Sequence, residues 1–313
     1  MHAPASSVAR TEDNLCCYRN INSAGMRVAW EITARCNLEC PYCFATKHIG
    51  DELTTAEALL AMESMKEGGV KKLMISGGEP FLRKDAIDLI EHGCRTGLLM
   101  KIITNGTALS SAVIGRLKDL PVEISFSLDG AHAETHDHSR RKAGSFDRIL
   151  ATIAKLDSLP FDIICVVTKE NWREAGELID LAHAIKCRSI TFTSLISFSH
   201  SNLTRDEEAK LFDLLAERRA RYGSAFAIRT VAFRQSAASE TCMAGRSIFF
   251  ICSEGYVHSC SLLKHVKDEQ FNIRRRPFGE IAMSLREMPH HLRAAASGPA
   301  PRCHKLTPQS AAG

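Results

Sequence analysis

The chain reads as an α/β protein: a partial (β/α)6 barrel of the TIM type, left open, followed by a small cysteine-bearing module with a β-hairpin. Three observations predict this. Short apolar runs alternate with longer amphipathic stretches from residue 27 to about 222, the rhythm of parallel β/α units. Six such units fall two short of a closed eight-unit barrel. After residue 223 the alternation stops and cysteines return.

Taken in order, strands are expected at 27–32, 72–75, 100–103, 123–127, 162–167 and 189–193. Helical patterns lie between and after them, at 55–67, 85–96, 110–120, 146–159, 173–185 and 205–221. Thr54-Thr55-Ala56-Glu57 has the form of a capping box at the first helix. Beyond the last helix come Cys242, an apolar run at 248–252, then Glu254-Gly255-Tyr256-Val257 and Cys260. An apolar run, a Gly turn and Tyr-Val read as a β-hairpin that brings Cys242 and Cys260 toward one end.

At 313 residues the chain can bury one large core, or one core plus a small appendage. With 45% hydrophobic and 24% charged residues, its composition is that of an ordinary globular protein. The net charge is +4, and the basic clusters at 140–142, 218–221 and 274–276 are separated and interspersed with acids. They read as solvated faces, which argues against a nucleic-acid partner. The first ten residues lack the apolar stretch of a signal peptide, and no apolar run approaches a bilayer span. A cytoplasmic protein with no membrane partner is expected, its twelve cysteines reduced and available to metal.

The most informative segment is Cys36-Asn37-Leu38-Glu39-Cys40-Pro41-Tyr42-Cys43, directly after the first strand. Clustered thiolates select soft metals and iron–sulfur centres over hard cations. A zinc ion would need a fourth ligand, and none stands nearby in sequence. A 4Fe–4S cube held by three cysteines keeps one iron open to a second molecule. Ile75-Ser76-Gly77-Gly78-Glu79-Pro80 ends the second strand, Thr104-Asn105-Gly106 the third, and Ser127-Leu128-Asp129-Gly130 the fourth. His136-Asp137 with Arg140, then Gly144-Ser145-Phe146, follow. Four of these motifs, Cys36–Cys43, Gly77–Pro80, Thr104–Gly106 and Asp129–Arg140, directly follow a predicted strand, the end of an α/β barrel where active sites form.

With these motifs the chain resembles the radical S-adenosylmethionine (SAM) enzymes over about residues 27–265. The resemblance implies that Cys36, Cys40 and Cys43 hold a 4Fe–4S cluster whose open iron takes the amino and carboxylate groups of SAM. Reductive cleavage would give a 5′-deoxyadenosyl radical that abstracts hydrogen from substrate. Gly77, Gly78 and Pro80 would shape the turn beside SAM. Glu79 would accept from its ammonium, and Arg140 would pair with its carboxylate. Asn105, Ser127 and Asp129 match positions that face the ribose or methionine moiety, and Tyr42 would pack on adenine. No residue is singled out as general base or hydrogen donor. His132, His136 and His138 are read as a polar loop shaping the pocket, and Cys94, Cys165 and Cys187 as core.

The segment after 223 resembles the SPASM or twitch modules that hold auxiliary iron–sulfur clusters in part of this superfamily. Cys242, Cys260 and Cys303 are then the matched ligands, with Cys252 a possible fourth. The usual closing Cys-x2-Cys is replaced by Cys303-His304-Lys305-Leu306. The organisation expected is an N-terminal arm at 1–26 carrying Cys16-Cys17, the barrel at 27–222, the auxiliary 4Fe–4S module at 223–306, and a tail at 307–313. The resemblance further implies modification of a ribosomally made peptide by oxidation or cross-linking. Such an enzyme would need an electron donor such as flavodoxin or ferredoxin. A separate leader-peptide-binding protein is also expected, since the 26 residues before the barrel are too few for such a domain. A radical SAM dehydrogenase of an aminocyclitol or other small metabolite is the competing reading. A non-enzymatic iron–sulfur or zinc protein is the remote one.

Overall fold

The computed structural model describes residues 25–43, 50–157, 159–195, 202–231, 243–264 and 267–288. Its chain runs β1 (Met26–Glu31), α1 (Thr55–Glu67), β2 (Val70–Ser76), α2 (Ala86–Arg95), β3 (Leu99–Thr104), α3 (Ser111–Lys118) and β4 (Val122–Ser127). Then follow α4 (Ala133–Arg140), α5 (Ser145–Ile153), β5 (Phe161–Val167), α6 (Ala175–Ala184), β6 (Ser189–Ser194), α7 (Arg205–Tyr222) and β7 (Ala227–Val231). The last elements are β8 (Ile248–Ile251), β9 (Val257–His258) and α8 (Phe278–Glu287). One sheet holds every strand, in the order β7-β6-β5-β4-β3-β2-β1-β8-β9.

Strands β1 to β7 are parallel and adjacent in chain order, the arrangement that successive helical crossovers impose. The helices cover one face. There Val28, Trp30, Leu73, Ile75, Ile102, Phe126, Ile163 and Phe192 join one continuous core with helix residues such as Met62, Ile90 and Ile149. Each such fully buried side chain contributes about 1.5–3 kcal/mol. The capping box is present: Thr54 Oγ1 accepts from the Glu57 amide while the Glu57 carboxylate accepts from the Thr54 amide.

Two expectations change. The β/α alternation does not stop at 222: β7 adds a seventh parallel strand beside β6. It is a short edge strand whose Arg229 and Thr230 break the apolar run, which hid it from a hydrophobicity reading. The stretch from His132 to His138 is not a loop, because α4 begins at Ala133. His136 is buried on it, and its Nδ1 accepts from the Asp129 amide at 3.1 Å. Burial and the nearby Arg140 push its pKa down to about 4, so it is a neutral acceptor.

The hairpin is present, and it extends the same sheet. β8 pairs parallel with the free side of β1, Trp30 opposite Ile251, and β9 returns antiparallel. Phe249 meets Phe278 of α8 edge to face, so α8 closes the helix layer there. Cys165 and Cys187 are buried as expected, and Cys94 packs half-buried against the core.

Candidate active site

The cysteine loop leaves the end of β1 and is held from two sides. On one side Gly78 N donates to Thr33 O and Glu79 N to Arg35 O, each at 2.8 Å. The glycines are required there by this close approach. A Cβ on Gly77 would stand 2.5 Å from Thr33 O, and one on Gly78 2.2 Å from Arg35 O. On the other side the Glu52 carboxylate accepts from Thr33 Oγ1 and the Ala34 amide, both at 2.8 Å, and from Arg35 at 3.1 Å.

Within the loop Cys43 N closes a turn onto Cys40 O at 3.0 Å. Cys36 and Cys43 are exposed and Cys40 is buried. Burial pushes the Cys36 and Cys40 thiols up, and the neighbouring thiols add to it by mutual repulsion of their charged forms. Arg140 works the other way on Cys40. A metal would therefore displace protons on binding. A zinc ion, with bonds of about 2.3 Å to sulfur, would draw its ligands tightly together. Among the described residues no three His, Cys, Asp or Glu side chains, these thiols included, converge closely enough to hold a single metal ion.

Two polar groups link this loop to the ends of the next strands. Glu79 is fully buried; its carboxylate accepts from Thr104 Oγ1 at 2.7 Å, from Asn105 N at 2.8 Å and from Phe81 N at 3.2 Å. Burial raises its pKa to about 7 despite these donors. Asn105 continues the link, donating to Asn37 Oδ1 at 3.0 Å and lying 4.0 Å from Cys36 Sγ. Pro80 is buried and opens a 3-10 turn, Pro80–Leu82.

The second group is centred on Asp129, also fully buried. Its Oδ1 accepts from the Val166 amide at 2.9 Å, and its Oδ2 accepts from the Tyr42 hydroxyl. Arg140 Nη2 stands 2.8 Å from the same Oδ2, and Nη1 reaches Cys40 Sγ at 3.8 Å. Burial opposes the Arg140 charge, but Asp129, Tyr42 and Cys40 together hold it firmly protonated. Arg140 Nη2 is taken up by its ion pair with Asp129, whereas Nε is buried without a partner. A buried guanidinium with a donor left over beside the cysteine loop fits an anionic ligand. Ser127 ends β4, half-buried, two residues before Asp129.

Of the C-terminal cysteines, Cys252 is buried just after β8, its amide donating to Tyr256 O at 3.1 Å. Cys260 is half-buried just after β9. Cys242, Cys303 and Cys16-Cys17 lie outside the described residues.

The inner face of the sheet carries a signal the apolar-run reading passed over. The side opposite the helices bears Glu31, Lys72, Lys101, Glu123, Ser125, Asp162, Ser189, Thr191, Thr193 and Arg229, the alternate positions of their strands. Barrel interiors are ordinarily packed with branched apolar residues; this one is largely polar, with Met74, Ile103, Ile164 and Val166 among the charged and hydroxyl side chains. Toward the strand N-termini it satisfies itself, with Lys72 to Glu123 at 2.9 Å and Arg229 to Ser189 Oγ at 2.6 Å. At the other end, beside the cysteine loop, Glu31 pairs with Lys264 at 3.0 Å. The alternation in Val122–Ser127, and Lys72 and Lys101 inside otherwise apolar strands, are the available clue.

Residues 30–182 match the model of the Radical SAM superfamily, and the chain is a member of that superfamily. Its relatives narrow the setting. It is 29% identical to an AdoMet-dependent heme synthase of Methanosarcina barkeri, covering 83% of each chain. It is 28% identical to the mycofactocin maturase MftC of Mycobacterium tuberculosis, over 76% of this chain and 65% of that one. In fold it is similar to Streptococcus suis SuiB bound to S-adenosylmethionine, with a TM-score of 0.72, 16% identity, and 87% of this chain and 70% of that one covered.

Proposed function

We propose that the protein is a radical SAM enzyme that modifies a ribosomally made peptide by oxidation or cross-linking. The observation that carries the SAM reading is the three-thiol loop beside the buried Arg140, whose Nη1 reaches Cys40 and whose Nε is left without a partner. Cys36, Cys40 and Cys43 would hold a 4Fe–4S cluster, and Arg140, Glu79 and the Gly77–Pro80 turn would hold SAM. Tyr42, Asn105, Ser127 and Asp129 stand at the same strand ends as further contacts. When bound, this pair supplies one-electron reductive cleavage of SAM and removal of a hydrogen atom from substrate.

The chain's own residues orient and insulate. Glu79 and Asn105 tie the loop to the end of β3, and Asp129 with Tyr42 ties it to β4 and β5. Arg140 keeps positive charge beside Cys40, which favours its thiolate. Cys242, Cys260 and Cys303, with Cys252, would hold an auxiliary cluster that takes up the electron left after hydrogen removal. Flavodoxin or ferredoxin would serve as reductant in the cytoplasm, with a separate protein presenting the leader peptide.

Similarity to a PqqA peptide cyclase of Methylocella silvestris, 31% identical over 51% of this chain and 44% of that one, supports the peptide substrate. A small-molecule substrate, here a tetrapyrrole, is favoured by one observation: the match to the heme synthase spans 83% of both chains. Anaerobic reconstitution of the parent and a Cys36/Cys40/Cys43→Ala variant tests the reading. About eight iron per chain are expected in the parent and about four in the variant, with 5′-deoxyadenosine formed under dithionite by the parent alone. Loss of all iron from the variant would remove the auxiliary cluster from the mechanism. Absence of 5′-deoxyadenosine from the parent would defeat the enzyme reading itself. Incubation with an iron coproporphyrin and with precursor peptides encoded beside the gene then separates the two substrates.

A further inference from the structure

We infer that Glu52 is a positioning residue for the cysteine loop, held in register by Arg274 of the C-terminal segment. The inference rests on the cluster reading of Cys36, Cys40 and Cys43. Residues 33–35 run on from β1 into the loop, and among the described residues their backbone is bonded on one side, by the amides of Gly78 and Glu79. On the open side the Glu52 carboxylate replaces a neighbouring strand. Its Oε1 takes Thr33 Oγ1 and Ala34 N, and its Oε2 takes Arg35 Nη2. Arg35 is further fixed by Thr33 Oγ1, which accepts from the Arg35 amide at 3.2 Å. The next residue is Cys36, so any displacement of this span is handed directly to the first thiolate.

Glu52 is itself clamped from far along the chain. Arg274 Nη2 donates to Asp51 O at 2.9 Å and Glu52 O at 3.0 Å. Its Nη1 donates to Glu254 O at 2.9 Å and its Nε to Glu57 Oε1 at 2.8 Å. Leu53 N adds a bond to Ser253 O at 2.9 Å. One guanidinium thus binds the turn after β8, the start of α1 and the backbone of Glu52. The C-terminal segment thereby sets the position of a carboxylate that lies outside the thiol set yet orients it. Outer partners of this kind commonly change metal affinity about 10-fold or more when removed.

The test compares the parent with E52Q, E52A, R274Q and E52A/R274Q, all reconstituted anaerobically. Three quantities are read: the SAM-induced change in the EPR spectrum of the reduced cluster, its midpoint potential, and urea unfolding of the cluster-free proteins. E52A is expected to lose the SAM-induced change about 10-fold at limiting SAM and to shift the potential, while its cluster-free form unfolds close to the parent. E52Q, whose amide oxygen still accepts from Thr33 and Ala34, should restore most of both. R274Q should move the same readouts in the same direction, and the double variant should be no worse than E52A alone. A parent-like spectrum and potential in E52A overturns the inference. So does an E52A whose only defect is a matching loss of cluster-free stability, or an additive double variant. If the parent itself shows no SAM-induced change, the cluster reading fails instead, which is a separable result.

Discussion

Glu79 shows how a single side chain carries two duties. Sequence position marked it as a partner for SAM, and the structure shows both its oxygens serving the loop-to-β3 connection, with one lone pair of Oε2 left over. Its burial has a measurable consequence. The folded pKa of about 7 lies above the ordinary value of 4.5. Below 4.5 both folded and unfolded chains hold the proton, and Glu79 imposes no ionisation penalty. Between 4.5 and 7 the unfolded chain releases its proton first, so stability falls as pH rises. By pH 7.5 the loss is complete, roughly 2–4 kcal/mol. Urea unfolding of the cluster-free protein across this range, set against E79Q, isolates it. Parallel curves for the two proteins would contradict the assignment. Arg140 follows a similar logic, legible as a charge near the site but not as the partner of Asp129, because α4 must fold back on the end of β4 to bring the two together.

At the scale of elements, the connection between α4 and α5 explains a motif that had only a positional reading. Asp137 lies near the end of α4 and caps the next helix. Its Oδ1 accepts from Ser145 Oγ at 2.7 Å and Phe146 N at 2.8 Å, its Oδ2 from Gly144 N at 2.6 Å. Gly144 is at φ 76°, which an L side chain adopts only with strain. Thus Asp137 and Gly144-Ser145-Phe146 form one joint that fixes the angle between the helix bearing Arg140 and its neighbour. Asp137→Ala is expected to cost about 1–2 kcal/mol by urea denaturation, with the position of Arg140, and so SAM affinity, also disturbed. A variant of parent stability would show that the joint is held by packing alone. The strands, the capping box at Thr54 and the loops after β1 to β4 were legible because local periodicity and contiguous motifs define them. β7 and α4 were not, since an edge strand and a polar helix carry little hydrophobic signal.

For the whole molecule, the main question is how the C-terminal residues join the barrel. β8 adds to the sheet beside β1, and Lys264 crosses to Glu31 at the end of that strand. Burial raises the Glu31 pKa and Lys264 opposes the rise. Removing one partner leaves a buried charge unmatched, so K264M should destabilise by about 3–5 kcal/mol, whereas E31L/K264M should recover most of the loss. A double-mutant cycle measured by urea unfolding reads the coupling directly. Additive losses would mean that the pair does not bind the two parts together.

What the sequence by itself determined were the features written in neighbouring residues. These are the parallel β/α succession, the three-thiol loop, the Gly-Gly turn and the family to which they belong. Each depends on spacing within about ten residues, where backbone geometry leaves few choices. The tertiary structure alone decided the rest: the polar inner face, the Asp129–Arg140–Tyr42 group, Glu52 as a substitute strand, and the tie from Lys264 to Glu31. Those contacts join residues 11 to 233 positions apart. Their formation depends on where the closed chain places each buried charge, because a charge taken out of water must find its partner in space.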